Sequence, residues 1–163
     1  RGRRPVRWRH RLREQPPVST AASIDWSALP PPQPSPDLDT RQFWDATADG
    51  RLAFARCQTC GFWHSPPLER CRRCAAPTAF EAVAGTGTVY TFIVQRQPAV
   101  VGYFDQVPYT IAIVELDEQS GLRIPGRLVD VDPDDVSIGM RVQARIVPLP
   151  GGDFRVPVWF PTT

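Results

Sequence analysis

The sequence predicts a mainly β protein in three stretches: an extended N-terminal arm leading into a short helix, a small β ribbon pinned by cysteines, and a C-terminal five-stranded barrel of OB type. Three observations carry this reading. All four cysteines fall within CQTCGFWHSPPLERCRRC, residues 57–74. Five β-rich runs separated by turn signals follow from Gly85 onward. Seven of the nineteen prolines lie in residues 15–38, where they exclude helix and central strand and favour extended backbone. The divisions are residues 1–38 for the arm, 39–84 for the helix and ribbon, and 85–163 for the barrel.

Length and charge narrow the function classes. A chain of 163 residues with 42% hydrophobic content forms one ordinary domain or two small ones. No apolar run approaches the roughly 18 residues of a membrane span, so no membrane association is expected. The opening RGRRPVRWRHRLRE carries seven arginines but no apolar core or small-residue cleavage site follows it, unlike a secretory signal. Pro5 and the proline-rich continuation also argue against a mitochondrial presequence, and the expected location is cytoplasmic. The chain begins at Arg1 and its single methionine is Met140, which reads as a fragment of a longer protein. Seven arginines against Glu14 give residues 1–14 a charge of +6, so the remainder of this net +2 chain carries −4. The body is mildly acidic.

In the arm, Ile24, Trp26 and Leu29 are apolar anchors spaced along an otherwise polar, proline-rich stretch. The segment DTRQFWDATADG then predicts a helix with Asp39 as N-cap and Gly50 as the C′ residue. Its apolar face is assigned to Phe43, Trp44, Thr47 and Ala48. RLAFAR (51–56) reads as a strand entering the cysteines and FEAV (80–83) as a strand leaving them.

The spacing Cys57-x2-Cys60-x10-Cys71-x2-Cys74 places each pair at the tip of a tight turn. Two such knuckles joined by a ten-residue loop supply four thiolates in a tetrahedron, which suits one Zn(II) and leaves no open position for catalysis. Iron in a rubredoxin-like site uses the same ligands. Two disulfides fit poorly in a chain without an export signal. A redox Cys-x-x-Cys pair needs a βαβ context that is missing here. A segment this small buries little core of its own, so the metal is expected to be structural. His64 and His10 are read as surface histidines.

The five runs are GTGTVYTFIVQRQ, YTIAIVELD, LRIPGRLVDV, MRVQARIVPL and DFRVPVWF. In the fourth, Val142, Ala144 and Ile146 alternate with Arg141, Gln143 and Arg145, as in a half-buried strand. Gly126 in the third run suggests a bulge or bend. Tyr90 and Phe92 are placed on one strand face. Five strands in about 75 residues suit a Greek-key OB barrel, with an open sandwich as the competing fold.

The ordered set Phe43-Trp44, CQTCG (57–61), Pro66-Pro67, CRRC (71–74), GTGTVYTF (85–92), PYTIAIVELD (108–117) and IGMRV (138–142) resembles the zinc-ribbon plus OB-fold, acyl-CoA-associated proteins of domain of unknown function family thirty-five. The resemblance covers about residues 37–161. Ala75 departs from it, standing where the second knuckle usually carries glycine. The resemblance implies a subunit of a lyase or thiolase complex acting on acyl-CoA, bound to a thiolase-fold enzyme with two copies of each chain. Within that family it points to a domain of a hydratase fusion that partners a retro-aldolase in steroid side-chain degradation, a branch of lipid metabolism.

Three functions compete. Catalysis by this chain alone finds no Ser-His-Asp or Cys-His set; Asp105, Glu115 and Asp117 sit in turns or at strand ends. Single-stranded nucleic-acid binding needs aromatic platforms in a basic groove. The barrel supplies Tyr90, Phe92, Tyr103, Phe104 and Tyr109 with Arg96, Arg123 and Arg127, but an acidic body makes it the alternative. A non-catalytic scaffold that binds a partner enzyme and helps hold its acyl-CoA is the leading expectation. Exposed Trp8, Trp26 and Trp159 are its candidate anchors, though Trp159 is equally placed to close the barrel. Arg96, Tyr103, Phe104 and Tyr109, in and before the loop VVGYFDQVPY, are its candidate CoA contacts.

Overall fold

The computed structural model describes Asp25 and residues 28–162. Trp8, His10, Ile24 and Trp26, and with them most of the anchors assigned to the arm, lie outside the described residues. The described elements are α1 (Arg41–Ala48), β1 (Ala53–Cys57), β2 (Trp63–His64), β3 (Thr78–Ala82), β4 (Thr86–Gln95), β5 (Tyr109–Leu116), β6 (Arg123–Leu128), β7 (Arg141–Pro148) and β8 (Arg155–Pro161). Among the described residues the architecture is thus mainly β with one short α-helix.

The chain enters α1 through a reciprocal turn. Asp37 Oδ1 accepts the Thr40 backbone N–H at 2.8 Å, and Thr40 Oγ1 accepts the Asp37 N–H at 3.1 Å. The N-cap of α1 is Thr40, one residue after the expected Asp39, and it makes no side-chain bond into the helix. The Asp37–Thr40 pair instead fixes the turn that precedes it, which the Arg41 N–H closes on the Asp37 carbonyl at 3.0 Å. Gly50 closes the helix with φ +75° as expected. The inward face is Phe43, Trp44, Ala46 and Thr47, with Ala48 exposed, because Ala46 lies one turn from Phe43. Phe43 meets Phe54 edge-on at 6.1 Å and Trp44 meets Phe154 at 5.5 Å, so one helix touches both ribbon and barrel.

The ribbon is a three-stranded antiparallel sheet in the order β2-β1-β3. The five later strands close into a barrel in the order β4-β5-β6-β8-β7, which excludes the open sandwich. Its core joins Val89, Ala112, Val114, Leu122, Val142 and Trp159 to Leu52, Phe54 and Trp63 of the ribbon module. The two modules therefore share one apolar core. A side-chain clasp adds to it: Gln119 Oε1 accepts the Trp63 N–H at 2.9 Å while Gln119 Nε2 donates to the Trp63 carbonyl at 3.1 Å.

Two barrel expectations are corrected. Gly126 pairs in register with Ala112, and the register shift lies instead in β4 between Val89 and Thr91. Gly126 is small for a different reason: a Cβ there would stand 2.6 Å from Trp159 Nε1. The irregularity at Tyr90 also reverses the inward set of β4, so Val89 and Phe92 face the core while Tyr90 turns outward, 47% exposed. Tyr90 and Phe92 thus do not share a face. Trp159, fully buried at 0%, closes the barrel and is no exposed anchor.

The end of the arm is laid on the barrel. Pro31 is buried, Gln33 Nε2 donates to the Pro150 carbonyl at 2.9 Å, and Cβ atoms at Gly102 or Gly151 would overlap Pro31 and Pro30. Leu29 is 39% exposed.

Candidate metal centre and apolar groove

β1 delivers Cys57 into the first knuckle and the Arg70–Pro77 bridge frames the second. Each knuckle turns on the same backbone bond: the Gly61 N–H donates to the Cys57 carbonyl at 3.0 Å, and the Ala75 N–H to the Cys71 carbonyl at 2.8 Å. Four sulfur atoms converge, all ligand atoms lying within 4.8 Å of one another. Cys57 and Cys74 Sγ are 3.4 Å apart and Cys60 and Cys71 Sγ 3.6 Å apart. Tetrahedral coordination at about 2.3 Å per sulfur requires S···S spacings of about 3.8 Å, so this donor set fits one metal ion with little adjustment. Cys57 and Cys71 are buried, Cys60 and Cys74 exposed.

The turn geometry also prepares thiolates. The N–H groups of Cys60 and Thr59 point at Cys57 Sγ from 3.3 and 3.4 Å, and they hold its pKa down to about 6 against the opposing effect of burial. The Ala76 N–H acts in the same sense on Cys74, but the neighbouring cysteine sulfurs and burial outweigh it and push Cys74 up to about 12. Crowded sulfurs cannot all shed their protons without a cation among them. Such a site is a structural metal site.

Ala75 takes a left-handed φ of +57°, matching Gly61 at +71°. A Cβ in that region costs about 1–2 kcal/mol, of which glycine's larger unfolded-state entropy returns about 0.4–1. Ala75→Gly is therefore expected to stabilise the metal-loaded protein by about 0.5–1 kcal/mol in urea denaturation. A loss of stability would refute the strained-turn reading.

His64 is not on the surface. It is 2% exposed, its ring lies 5.1 Å from that of Phe62, and neither ring nitrogen has a hydrogen-bond partner. Nothing local in the sequence signals this burial: β2 pairs with β1, and Thr40, Phe43, Ile124 and Pro125 gather around His64 from distant parts of the chain. Burial, then the charge of Arg72, lowers the His64 pKa from its ordinary value near 6.5. Below that value the unfolded chain takes up a proton that the folded chain resists, so stability falls as pH falls. Unfolding free energies measured from pH 7 to 5.5 should decline more steeply for the natural chain than for His64→Gln, and equal slopes would count against this effect.

A groove of about 610 Å³ runs beside the barrel, walled by Phe43, Trp44, Pro31, Pro157 and Val158 with Tyr103 and Arg127 at one side. The Arg127 guanidinium stands 5.1 Å over Tyr103 and 5.2 Å over Tyr109, whose rings are 5.7 Å apart. The structure thus brings together Tyr103 and Tyr109. Arg127, which the loop-centred sequence reading left out of the CoA set, joins them from β6. Phe104 begins the adjoining short 3-10 turn, and Arg96 pairs with Asp134 at 2.5 Å, away from the groove's lining. Of the carboxylates weighed earlier, Glu115 pairs with Arg123 at 2.8 Å and Asp117 with Arg141 at 2.6 Å. The bond from Arg141, followed by that from Thr86, lowers Asp117 to about 2, which keeps it ionised and unable to donate a proton near neutrality.

A four-cysteine ribbon sharing one core with a five-stranded closed barrel defines a two-module protein of the metal-ribbon and OB-fold class. Residues 44–81 match the ChsH2 rubredoxin-like zinc ribbon domain and residues 80–147 the ChsH2 C-terminal OB-fold domain. The chain belongs to the DUF35 family. A DUF35 domain-containing scaffold protein of Methanocaldococcus jannaschii is 45% identical over 95 residues, 57% of this chain and 65% of that protein. The 3-oxo-4,17-pregnadiene-20-carboxyl-CoA hydratase alpha subunit of Mycobacterium tuberculosis is 34% identical over 145 residues, 89% of this chain and 44% of that one. The chain therefore spans less than two thirds of either curated relative. Among solved structures, the Ltp2-ChsH2(DUF35) aldolase superposes with a TM-score of 0.73 at 31% identity, covering 80% of this chain and 100% of the matched chain. Among the described residues no helix is long and apolar enough to cross a membrane.

Proposed function

We propose that this chain is a non-catalytic partner domain of an acyl-CoA-processing complex, bound to a thiolase-fold enzyme and acting on its assembly and substrate handling. The observation that carries the reading is the match over the full length of a DUF35 chain in the Ltp2-ChsH2(DUF35) aldolase. The scaffold and CoA-hydratase-subunit names of its relatives point the same way. The ion pairs of Glu115 and Asp117 are consistent with chemistry supplied by the partner.

In this reading the four cysteines, Cys57, Cys60, Cys71 and Cys74, hold one Zn(II), whose closed tetrathiolate shell supplies fold stability and no reaction centre. Retro-aldol cleavage or thiolysis would belong to the partner's active site, with two copies of each chain following from a dimeric enzyme. CoA would be met where Tyr103 and Arg127 line the groove, with Tyr109, 6% exposed, packed behind them, and with Phe104 and Arg96 as further candidate contacts. The complex would work in the cytoplasm.

The test is co-expression of the chain with a thiolase-fold enzyme from the same organism, followed by mass determination of the purified complex and titration with CoA. The expected result is a stable hetero-oligomer, CoA affinity weakened on Arg127→Ala, and loss of enzyme solubility or activity without the chain. A soluble, fully active enzyme in its absence would overturn the scaffold reading. Tight binding of a single-stranded oligonucleotide with a steep salt dependence, and none of CoA, would favour nucleic acid instead.

A further inference from the structure

The β4–β5 side of the barrel carries isoleucines where a solvated sheet face carries polar residues. An antiparallel sheet with one wet face usually alternates apolar inside and polar outside. In β5, Thr110, Ala112, Val114 and Leu116 are buried, so Ile111, Ile113 and Glu115 form the outward set. On β4 the slip between Val89 and Thr91 turns Tyr90 out, and Thr91 and Ile93 lie on the same side. Ile93 pairs with Ile111 and Thr91 with Ile113, which makes one continuous patch across the two strands. Ile93 is 60% exposed and Ile113 38%. Apolar side chains scattered singly over a surface are ordinary, whereas contiguous ones mark interaction sites. One end of the patch has a fixed polar border: the Arg123 guanidinium lies 3.4 Å over the Tyr90 ring and bonds Glu115 at 2.8 Å. The described end of the arm does not cover the patch, since Pro30 and Pro31 lie against Gly151 and Gly102.

We propose that this face is where the partner enzyme docks, through a surface of its own that is apolar at the centre and carries hydrogen-bond acceptors at the edge. The inference rests on the reading of the chain as a partner domain and adds where the contact lies. The patch has the make-up of an interface core, aliphatic and uncharged in the middle with a Tyr–Arg pair at its border. Covering Ile93, Ile111 and Ile113 takes apolar area out of water without stranding a charge. Arg123 is already held by Tyr90 and Glu115, so little further ordering of that side chain opposes docking. The Tyr90 hydroxyl and the Arg123 N–H groups not spent on Glu115 are donors for acceptors on the enzyme. A different protein fits this face better than a second copy. The DUF35 chain that this one matches over its full length stands in the Ltp2-ChsH2(DUF35) aldolase, an assembly named for two proteins.

The experiment co-expresses the natural chain or a variant with the thiolase-fold enzyme and reads the dissociation constant by dilution of the purified complex. Ile93→Lys combined with Ile113→Glu charges the face and spares the core, so metal content and melting temperature should stay near those of the natural chain. That pair should weaken the complex by about a hundredfold, because unmatched charge is costly in an interface core. Ile93→Thr combined with Ile113→Thr keeps β-branched side chains on the strands and should weaken it by about tenfold. Leu38→Glu, at a residue 82% exposed ahead of α1, is the control and should change the affinity by less than about twofold. Undiminished binding by both isoleucine pairs would overturn this inference alone and leave the partner-domain reading standing. Failure of the natural chain to bind the enzyme would overturn both. Self-association of the natural chain that the isoleucine pairs abolish, or capture of a single-stranded oligonucleotide that Tyr90→Ala abolishes, would assign the face to another occupant and overturn the inference.

Discussion

Cys57→Ser, or exhaustive treatment of the natural chain with a strong chelator, is expected to unfold residues 51–84 and to lower the melting temperature of the whole protein. The ribbon has three short strands, and its principal apolar contacts, Leu52, Phe54 and Trp63, belong to the core it shares with the barrel. The knuckles also meet through the Gln58 N–H bond to the Pro77 carbonyl and through Arg72 and Arg73 over the Phe62 ring, but these exposed contacts are small beside the apparent metal-binding free energies of about 10–16 kcal/mol in zinc-finger peptides near neutral pH. Cys57 is 2% exposed and receives two backbone N–H groups, so serine, a far poorer metal ligand, would also leave those donors badly matched. The shared core transmits the loss, yet β4 to β8 keep Val89, Val114, Val142 and Trp159 among themselves, so the barrel should persist in weakened form. Metal content, near-ultraviolet circular dichroism and hydrogen exchange resolved by segment would follow the change. One metal per chain before treatment, none after, and exchange rising in residues 51–84 ahead of residues 86–161 is the expected pattern. An unchanged melting curve after complete metal removal would show that the cysteines do not hold the ribbon.

Trp159→Ala should cost about 3–5 kcal/mol, the range for deleting a buried aromatic side chain. Trp159 is 0% exposed and lies in the closing strand, with its indole edge against Gly126 of the parallel neighbour β6. Barrel closure at this seam rests on two residue pairs, Arg127 with Val158 and Leu128 with Trp159, so packing has to supply what a short ladder does not. Gly126→Ala attacks the same contact from the other side. Its Cβ would stand 2.6 Å from Nε1 and 2.8 Å from Cδ1 of a ring with no room to move, an overpacking that costs about 1–3 kcal/mol. If the contact is the reason for the glycine, Gly126→Ala should be nearly neutral in a Trp159→Phe background. Equilibrium denaturation of the two single variants and the double variant measures this coupling. Strict additivity would place the reason for Gly126 elsewhere.

Much of this architecture was legible residue by residue. Cysteine spacing specifies a metal knuckle without reference to anything distant, because each turn closes within five residues: Gly61 bonds back to Cys57 and Ala75 to Cys71. Alternation in MRVQARIVPL showed which side of β7 faces inward, since side chains on a strand alternate with a period of two. The five runs and their turns were likewise local, and they became the five strands of the closed barrel. Ala75 stands out only against the family resemblance, where glycine is usual, and it takes the left-handed φ of +57° that glycine would take without strain.

What escaped the sequence depended on partners far along the chain. Tyr90 and Phe92 stand two residues apart and read as one face, but the register against β5 slips between Val89 and Thr91 and turns them to opposite sides. Gly126 looked like a bend because the Trp159 ring that demands its smallness is 33 positions away and reaches it only when β8 lies beside β6. His64 looked like a surface histidine because nothing nearby shows that α1 and β6 will cover it. Arg127 gained its place between Tyr103 and Tyr109 through the fold of the 97–108 loop over β6. The sequence by itself determined the cysteine frame of the ribbon, the five barrel strands and the metal-binding set, whose causes are covalent spacing and backbone turns of a few residues; the short strand β2 (Trp63–His64) was not read from it. Only the tertiary structure decided the shared core, the groove and the buried imidazole, because packing and desolvation act between surfaces that the chain order keeps apart.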